Sequence, residues 1–113
     1  MPEFPNTPAT LANWQEYIKQ MKLERGFNTD DKIKECFLLV EEIGELFKAI
    51  RKSEGWRIDS NAKAQDNVAH ELADCLIFLL SIANQHDIDV EVALREKEEI
   101  NNTRTWVKKE KTA

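Results

Sequence analysis

The sequence has few of the residues that interrupt helices. Among its 113 residues there are only three glycines and three prolines, and every proline falls within the first eight positions. Polar and apolar residues seldom alternate as they do in strands, whereas Ala, Leu, Glu and Lys are frequent. This composition favours an all-α fold. We expect a single domain over residues 1–113, with flexible ends at 1–8 and 107–113.

The sequence also has no excess of positive charge, only two cysteines and no long apolar run. The net charge of −5 argues against a nucleic-acid partner. Cys36 and Cys75 are too few for a disulfide scaffold and fit no zinc motif, so both are expected in the core of a protein from a reducing compartment. The longest apolar run, 75–83, is too short for a membrane span, and the N-terminus does not resemble a signal peptide. We expect a soluble, cytoplasmic protein without a membrane partner.

Capping residues and apolar periodicity predict four helices. The predicted bounds are, in chain order, from Thr7 or Thr10 to Gly26, from a cap within 28–31 to about Ser53, from about Asn61 to Gln85, and from Val90 to about Arg104. The second helix carries an apolar stripe with a period of about 3.6 residues. The stripe consists of Ile33, Phe37, Val40, Ile43, Phe47 and Ile50.

The third helix is apolar on almost every side between Leu72 and Ala83. A helix of this kind is buried by more than one neighbour, and in a short chain those neighbours are expected to include another subunit. The predicted architecture is therefore a bundle of four to five helices. It is built on two long antiparallel helices and completed by oligomerisation.

Carboxylates interrupt both long helices. Glu41, Glu42 and Glu45 lie in an apolar segment, and Glu71 and Asp74 follow about 25 residues later. Residues three or four apart share a helix face, so each helix presents acids on one side. Facing groups of acids repel unless a cation lies between them, and hard oxygen ligands suit Mg²⁺ or Mn²⁺.

A plain alternative is that these acids form a solvated helix face. It suits Glu41 and Glu45, since Lys48 lies nearby. It suits Asp74 less well, because lysine and arginine are absent from 69–83 and an unpaired buried carboxylate is costly. The combination therefore favours a divalent-metal site.

The motif Glu-Glu-x-x-Glu at 41–45 followed by Glu-x-x-Asp at 71–74 resembles the MazG-like all-α nucleoside triphosphate pyrophosphohydrolases, which are related to the dimeric dUTPases. The segment 97–106, Lys-x-x-x-Asn-x-x-Arg-x-Trp, is similar to the cluster that closes many single-domain members. The resemblance covers roughly residues 10–106. Each acidic motif alone is weak, whereas their order, their separation and the closing segment are together fairly specific.

The resemblance implies Mg²⁺-dependent hydrolysis of a (deoxy)nucleoside triphosphate between its α and β phosphates, as house-cleaning of the nucleotide pool. It implies four metal ligands, which are Glu42, Glu45, Glu71 and Asp74. Glu41 would be an outer-shell acid or the base that activates water, and together with Glu42 it forms the expected catalytic pair. A homodimer or homotetramer is implied as well.

Several residues are candidates for substrate binding. Lys97, Asn101 and Arg104 would hold phosphate oxygens. Lys48 would contact phosphate or simply pair with Glu45. The base would stack on Trp14 or Trp56, although the spacing of Trp14 equally suits an ordinary core residue.

Two other functions stay open at this stage. The chain could be a non-catalytic acidic interaction module, or a pyrophosphohydrolase acting on another pyrophosphate such as phosphoribosyl-ATP. The preferred base is undetermined, because it would depend on the first helix and on a neighbouring subunit.

Overall fold

The computed structural model describes residues 1–27, 30–57 and 67–108. The regular structure of these ranges is entirely helical, which confirms the all-α class. The four helices are α1 (Leu11–Glu24), α2 (Lys32–Ser53), α3 (Val68–Gln85) and α4 (Val90–Asn102). None of the helices in the described ranges has the length and hydropathy to cross a membrane.

The helices begin at the side-chain caps that the sequence supplies. The Thr10 hydroxyl accepts a hydrogen bond from the Asn13 N–H, and the Asn13 side chain accepts one from the Thr10 N–H. Asp31, Asn67 and Asp89 cap the other three helices. Three predicted segments lie wholly outside the described residues. They are the start of the third helix at 61–66, the loop residues 58–60 and the tail 109–113.

The α2 and α3 helices form the main packed pair, and α1 packs on α3. On α2, Glu42 approaches Glu71 and Asp74 of α3. Seven residues earlier on the same helix, Glu35 lines a cavity together with Phe78, which is later in α3. Residue numbers fall along α2 while they rise along α3, so the two helices are antiparallel, as predicted.

The predicted apolar stripe of α2 lies largely on the side away from α3. Phe37 and Val40 are 68% and 67% exposed, and Phe47 is also exposed. The side toward α3 instead carries buried Glu35 and Ala49. The helix thus has two faces, and only one can pack on α3. Leu72, Leu76 and Leu79 of α3 are likewise about half exposed, so the described residues of a single chain leave this apolar surface uncovered.

The buried apolar core is small. It is centred on Ile18, Met21 and Leu80, where α1 crosses α3. Cys75 is buried, as predicted, but the placement of Cys36 in the core is wrong. The Cys36 thiol donates to the Lys32 carbonyl at 3.3 Å. It is exposed because it lies on a side of α2 that none of the four described helices covers.

A polar contact joins α1 to the turn between α3 and α4. The Gln15 amide nitrogen donates to the Asn84 side-chain oxygen at 3.1 Å and to the Ile88 carbonyl at 2.8 Å. Its amide oxygen accepts from the Val90 N–H at 3.0 Å. Asn84 in turn donates to the Gln15 carbonyl at 2.9 Å. Because Gln15 is buried, this contact fixes where α4 starts relative to α1.

We predict that Gln15→Leu lowers the free energy of unfolding by about 1–3 kcal/mol, because it leaves part-buried polar groups of Asn84, Ile88 and Val90 without their partner. Gln20→Leu is the matched control. Gln20 is exposed on the same helix and bonds only to Glu16 among the described residues, so its loss should change stability by less than about 0.5 kcal/mol. Urea unfolding of both variants measures the difference, and equal losses would contradict the prediction.

Candidate metal centre

Three carboxylates converge between α2 and α3. One oxygen from each of Glu42, Glu71 and Asp74 lies within 4.8 Å of the others. Glu42 and Glu71 are half-buried. Within residues 1–27, 30–57 and 67–108, none of the three forms an ion pair with lysine or arginine.

Burial and repulsion between neighbouring carboxylates both disfavour the charged form of Glu42. Partial burial raises the pKa of Glu42, and the charges of Asp74 and Glu71 raise it further, followed by those of Glu45 and Glu41. Burial also raises the pKa of the neighbouring Cys75 thiol, and the same carboxylates add to this effect. Glu71 lies in the first turn of α3, where the positive end of the helix dipole offsets part of the repulsion.

This donor set fits a hard divalent cation. Mg²⁺ binds oxygen at about 2.1 Å, so oxygens on opposite sides of the ion are about 4.2 Å apart. A spread of 4.8 Å or less therefore needs only a small adjustment to hold one ion. The Cys75 thiol does not compete for such an ion, because its raised pKa keeps it protonated and Mg²⁺ prefers oxygen.

The other two acids of α2 lie beside the group. Glu45 was predicted as a ligand, and its charge acts on Glu42, but it is not one of the three carboxylates that converge in the described ranges. Glu41 is exposed and also acts on Glu42 through its charge. The structure therefore assembles three of the four predicted ligands, and the roles of Glu45 and Glu41 stay predictions.

The candidate phosphate ligands of α4 are held by a different helix pair. Lys97, Asn101 and Arg104 follow one another at helical spacing, and α4 makes its main contacts with α1. The Asn101 side chain donates to Glu98 at 2.9 Å. The Arg104 guanidinium lies 5.6 Å from the centre of the Trp106 ring. Their predicted role in binding phosphate stays a prediction.

Lys48 and Trp56 share a cavity of about 750 Å³ on another side of α2. Lys48 is six residues from Glu42, which places it about 120° around the helix from the carboxylate group. The Arg57 guanidinium lies 4.6 Å from the centre of the Trp56 ring. One copy of the chain therefore does not bring these two candidates to the three converging carboxylates.

Trp14 packs in an aromatic cluster on α1. Its ring centre is 5.5 Å from that of Tyr17 and 6.2 Å from that of Phe4. With 39% of its surface exposed, it is neither a fully buried core residue nor a free platform for stacking.

A buried ion pair was missed in the sequence. The Lys22 ammonium lies 2.9 Å and 3.1 Å from the two Glu35 carboxylate oxygens. Both residues are more than nine-tenths buried. Thirteen positions separate them, and each resembles an ordinary surface charge of an amphipathic helix, so no local signal indicates their pairing.

Taken together, the antiparallel helices and their shared carboxylates define an all-α protein with a candidate divalent-metal centre. Comparison with known families is more specific. The model of the MazG nucleotide pyrophosphohydrolase domain matches residues 29–104. The chain therefore belongs to the MazG nucleotide pyrophosphohydrolase family, which confirms the resemblance drawn from the two acidic motifs.

A solved structure agrees with this assignment. The crystal structure of iMazG from Vibrio DAT 722 is 29% identical and superposes with a TM-score of 0.65. The match covers 82% of this chain and 94% of that one. No curated protein matches the chain significantly.

We predict that Glu42→Gln changes how the stability of the metal-free protein depends on pH. The raised pKa of Glu42 means that folding favours its protonated form. The free energy of unfolding of the wild type should therefore fall as the pH rises from the pKa of Glu42 in the unfolded chain through its higher pKa in the folded chain. The variant lacks this loss, so it should be more stable than wild type at about pH 7 but not at about pH 4.

Urea unfolding in the presence of a chelator measures this dependence. Glu96→Gln, at an exposed position on α4, is the control and should parallel wild type. A Glu42→Gln curve that also parallels wild type would show that the carboxylates do not repel one another appreciably.

Proposed function

We propose that this family member hydrolyses a nucleoside triphosphate between its α and β phosphates in a Mg²⁺-dependent reaction. The products are the nucleoside monophosphate and pyrophosphate, and the cellular role is removal of unwanted triphosphates. The observation that carries the proposal is the convergence of Glu42, Glu71 and Asp74 within 4.8 Å without a basic partner in the described ranges. A substrate with several negative charges needs a cation between itself and such a group.

In this proposal, Glu42, Glu71 and Asp74 hold the ion, and Glu45 completes the set from the next turn of α2. When bound, Mg²⁺ supplies positive charge that binds the triphosphate oxygens and stabilises the leaving pyrophosphate. Glu41, exposed and outside the converging group, accepts the proton of the attacking water. The water oxygen forms a bond to phosphorus, and the anhydride bond between the α and β phosphates breaks.

Phosphate contacts fall to two residues of α4 and to an arginine just beyond its end in this scheme. Lys97, Asn101 and Arg104 bind oxygens of the triphosphate, Arg104 through its two-pronged guanidinium. The Asn101 amide donates one N–H to Glu98 and has a second N–H that can donate to phosphate.

The competing interpretation is a non-catalytic acidic module for a protein partner. A solvated acidic surface would not require Glu42 to be half-buried beside two other carboxylates at the cost of a raised pKa. Membership of a hydrolase family also favours catalysis.

We predict that Mg²⁺ stabilises the wild type by mass action, by about 2.7 kcal/mol at a concentration about 100 times its Kd. Glu42→Gln and Asp74→Asn should abolish this stabilisation and lower turnover by more than about 100-fold. Loss of a residue that only contacts a metal ligand already lowers metal affinity or activity by about 10- to 100-fold, and loss of a ligand should lower it further. Glu96→Gln makes the same change at an exposed site, and this variant should keep both the stabilisation by Mg²⁺ and the wild-type turnover.

The measurements are thermal unfolding with and without Mg²⁺, and assays of pyrophosphate and orthophosphate on a panel of canonical and modified triphosphates. The panel also includes phosphoribosyl-ATP. Orthophosphate as the sole product would refute cleavage between the α and β phosphates. No turnover together with no Mg²⁺ effect would favour the interaction module.

The chain is further proposed to act as a homodimer or homotetramer. It exposes 9395 Å², against about 6400 Å² for a compact monomer of its mass. This excess includes the exposed apolar surface of α2 and α3, with Phe37, Val40 and Leu72 among its residues, which a second copy would cover. Gly44 lies on the same side of α2 as the uncovered stripe, and a Cβ placed there would meet nothing within 4 Å among the described residues of this copy. A second copy packed on this stripe explains why a helix tolerates glycine at its centre.

We predict that wild type sediments at twice 13.1 kDa or more, and that Phe37→Asp yields the 13.1 kDa monomer by placing a charge in the apolar interface. Leu23→Asp is the control, because Leu23 is comparably exposed but lies on α1. Sedimentation equilibrium reports the mass and circular dichroism the helix content. Wild type that stays monomeric at micromolar concentration would exclude the assembly.

A further inference from the structure

A cavity of about 420 Å³ lies close to the carboxylate group. It opens between the end of α1, the first half of α2 and the middle of α3. Its walls include Lys22, Phe27, Glu35, Leu38 and Phe78. This volume falls in the range of sites that enclose small organic ligands.

The buried Lys22–Glu35 pair forms the polar wall of this cavity. Stability alone explains such a pair poorly, because removing two charges from water offsets most of their attraction. An apolar pair of similar size would join α1 to α2 as well. A pair that presents a donor and an acceptor side by side at a cavity wall is suited to hydrogen bonding with a ligand edge.

Aromatic rings flank the pair. The Lys22 ammonium lies 4.9 Å from the centre of the Phe78 ring and 5.7 Å from that of Phe27. Flat heteroaromatic rings stack on such side chains regardless of their identity, while hydrogen bonds at the edge distinguish them. A nucleobase has both a flat face and an edge of donors and acceptors.

The position of the cavity relative to the acids supports the same ligand. Leu38 precedes Glu42 by four residues and Phe78 follows Asp74 by four, so each is about 6 Å along its helix from the carboxylates. A ribose can bridge such a gap. A neighbouring cavity of about 270 Å³ is lined by Ser81 and Asn84, farther from the acids along α3, and has no aromatic wall within the described residues.

We propose that this cavity binds the nucleobase of the substrate and that Lys22 and Glu35 determine which base is accepted. Lys22 donates to a ring nitrogen or carbonyl of the base, and Glu35 accepts from its amino or imino N–H. The inference rests on the proposed function, because it takes a nucleoside triphosphate as the ligand. It replaces Trp14 and Trp56 as base-binding residues, since one lies in its own aromatic cluster and the other on a different side of α2.

The sharpest test exchanges the members of the pair. Lys22→Glu combined with Glu35→Lys keeps an ion pair and the net charge but exchanges donor and acceptor. The order of kcat/KM among triphosphates with different bases should change, through KM, while kcat stays within about two-fold for the best substrate. The control exchanges two exposed residues of opposite charge on α1, Glu16→Lys with Lys19→Glu, and should keep the wild-type order.

A second variant covers the case in which the exchanged pair does not fold. Phe27 is 51% exposed, so Phe27→Leu should fold normally. Loss of stacking should raise KM for every triphosphate by about five-fold or more. A nucleoside without phosphates, added in chelator, should shift the NMR signals of the Phe78 ring in wild type and more weakly in Phe27→Leu.

The outcomes separate this inference from the proposed function. If wild type hydrolyses no triphosphate but the nucleoside still shifts the Phe78 signals, the hydrolase proposal fails and the cavity remains a base-binding site. If triphosphates are hydrolysed and the folded exchanged pair keeps the wild-type order of bases, the pair is only structural and the inference is overturned. Unchanged KM values in Phe27→Leu, with no nucleoside effect at Phe78, would also overturn it.

Discussion

Repulsion among three carboxylates is the constraint on which the site depends. Packing of α2 against α3 brings oxygens of Glu42, Glu71 and Asp74 within 4.8 Å of one another, and the pKa of Glu42 is raised first by burial and then by the neighbouring charges. Folding therefore concentrates negative charge at one level of the helix pair, and the first turn of α3 compensates only part of it. The proposed cation at this site would stabilise the fold and prepare the chain to bind an anionic substrate.

The same helix pairing determines what remains uncovered. Because one side of α2 faces α3, the stripe that includes Phe37, Val40 and Phe47 faces outward. The proposed assembly and the proposed metal site thus use opposite faces of one helix, and Gly44 falls on the outer one. This arrangement explains how a chain with a small core of its own can support a site whose charges oppose folding.

Buried polar contacts replace part of the missing core. Gln15 fixes the start of α4, and the Lys22–Glu35 pair joins α1 to α2 beside the cavity. Such contacts fix geometry more strictly than apolar packing, because an unpaired buried polar group is costly and few arrangements satisfy it. Strict geometry at the junction of α1, α2 and α3 is what selective recognition of a ligand edge would require.

The sequence by itself determined the helical class, the caps at Thr10, Asp31 and Asp89, and the acids of the site, since each depends on neighbours within about one helical turn. It also carried the motifs by which the family is known. Only the tertiary structure decided that Glu71 and Asp74 converge with Glu42 rather than with Glu45, that Cys36 is exposed, and that Lys22 pairs with Glu35. These outcomes depend on how one helix is rotated against another, and apolar periodicity cannot fix that rotation when α2 has an apolar stripe on the side opposite its partner.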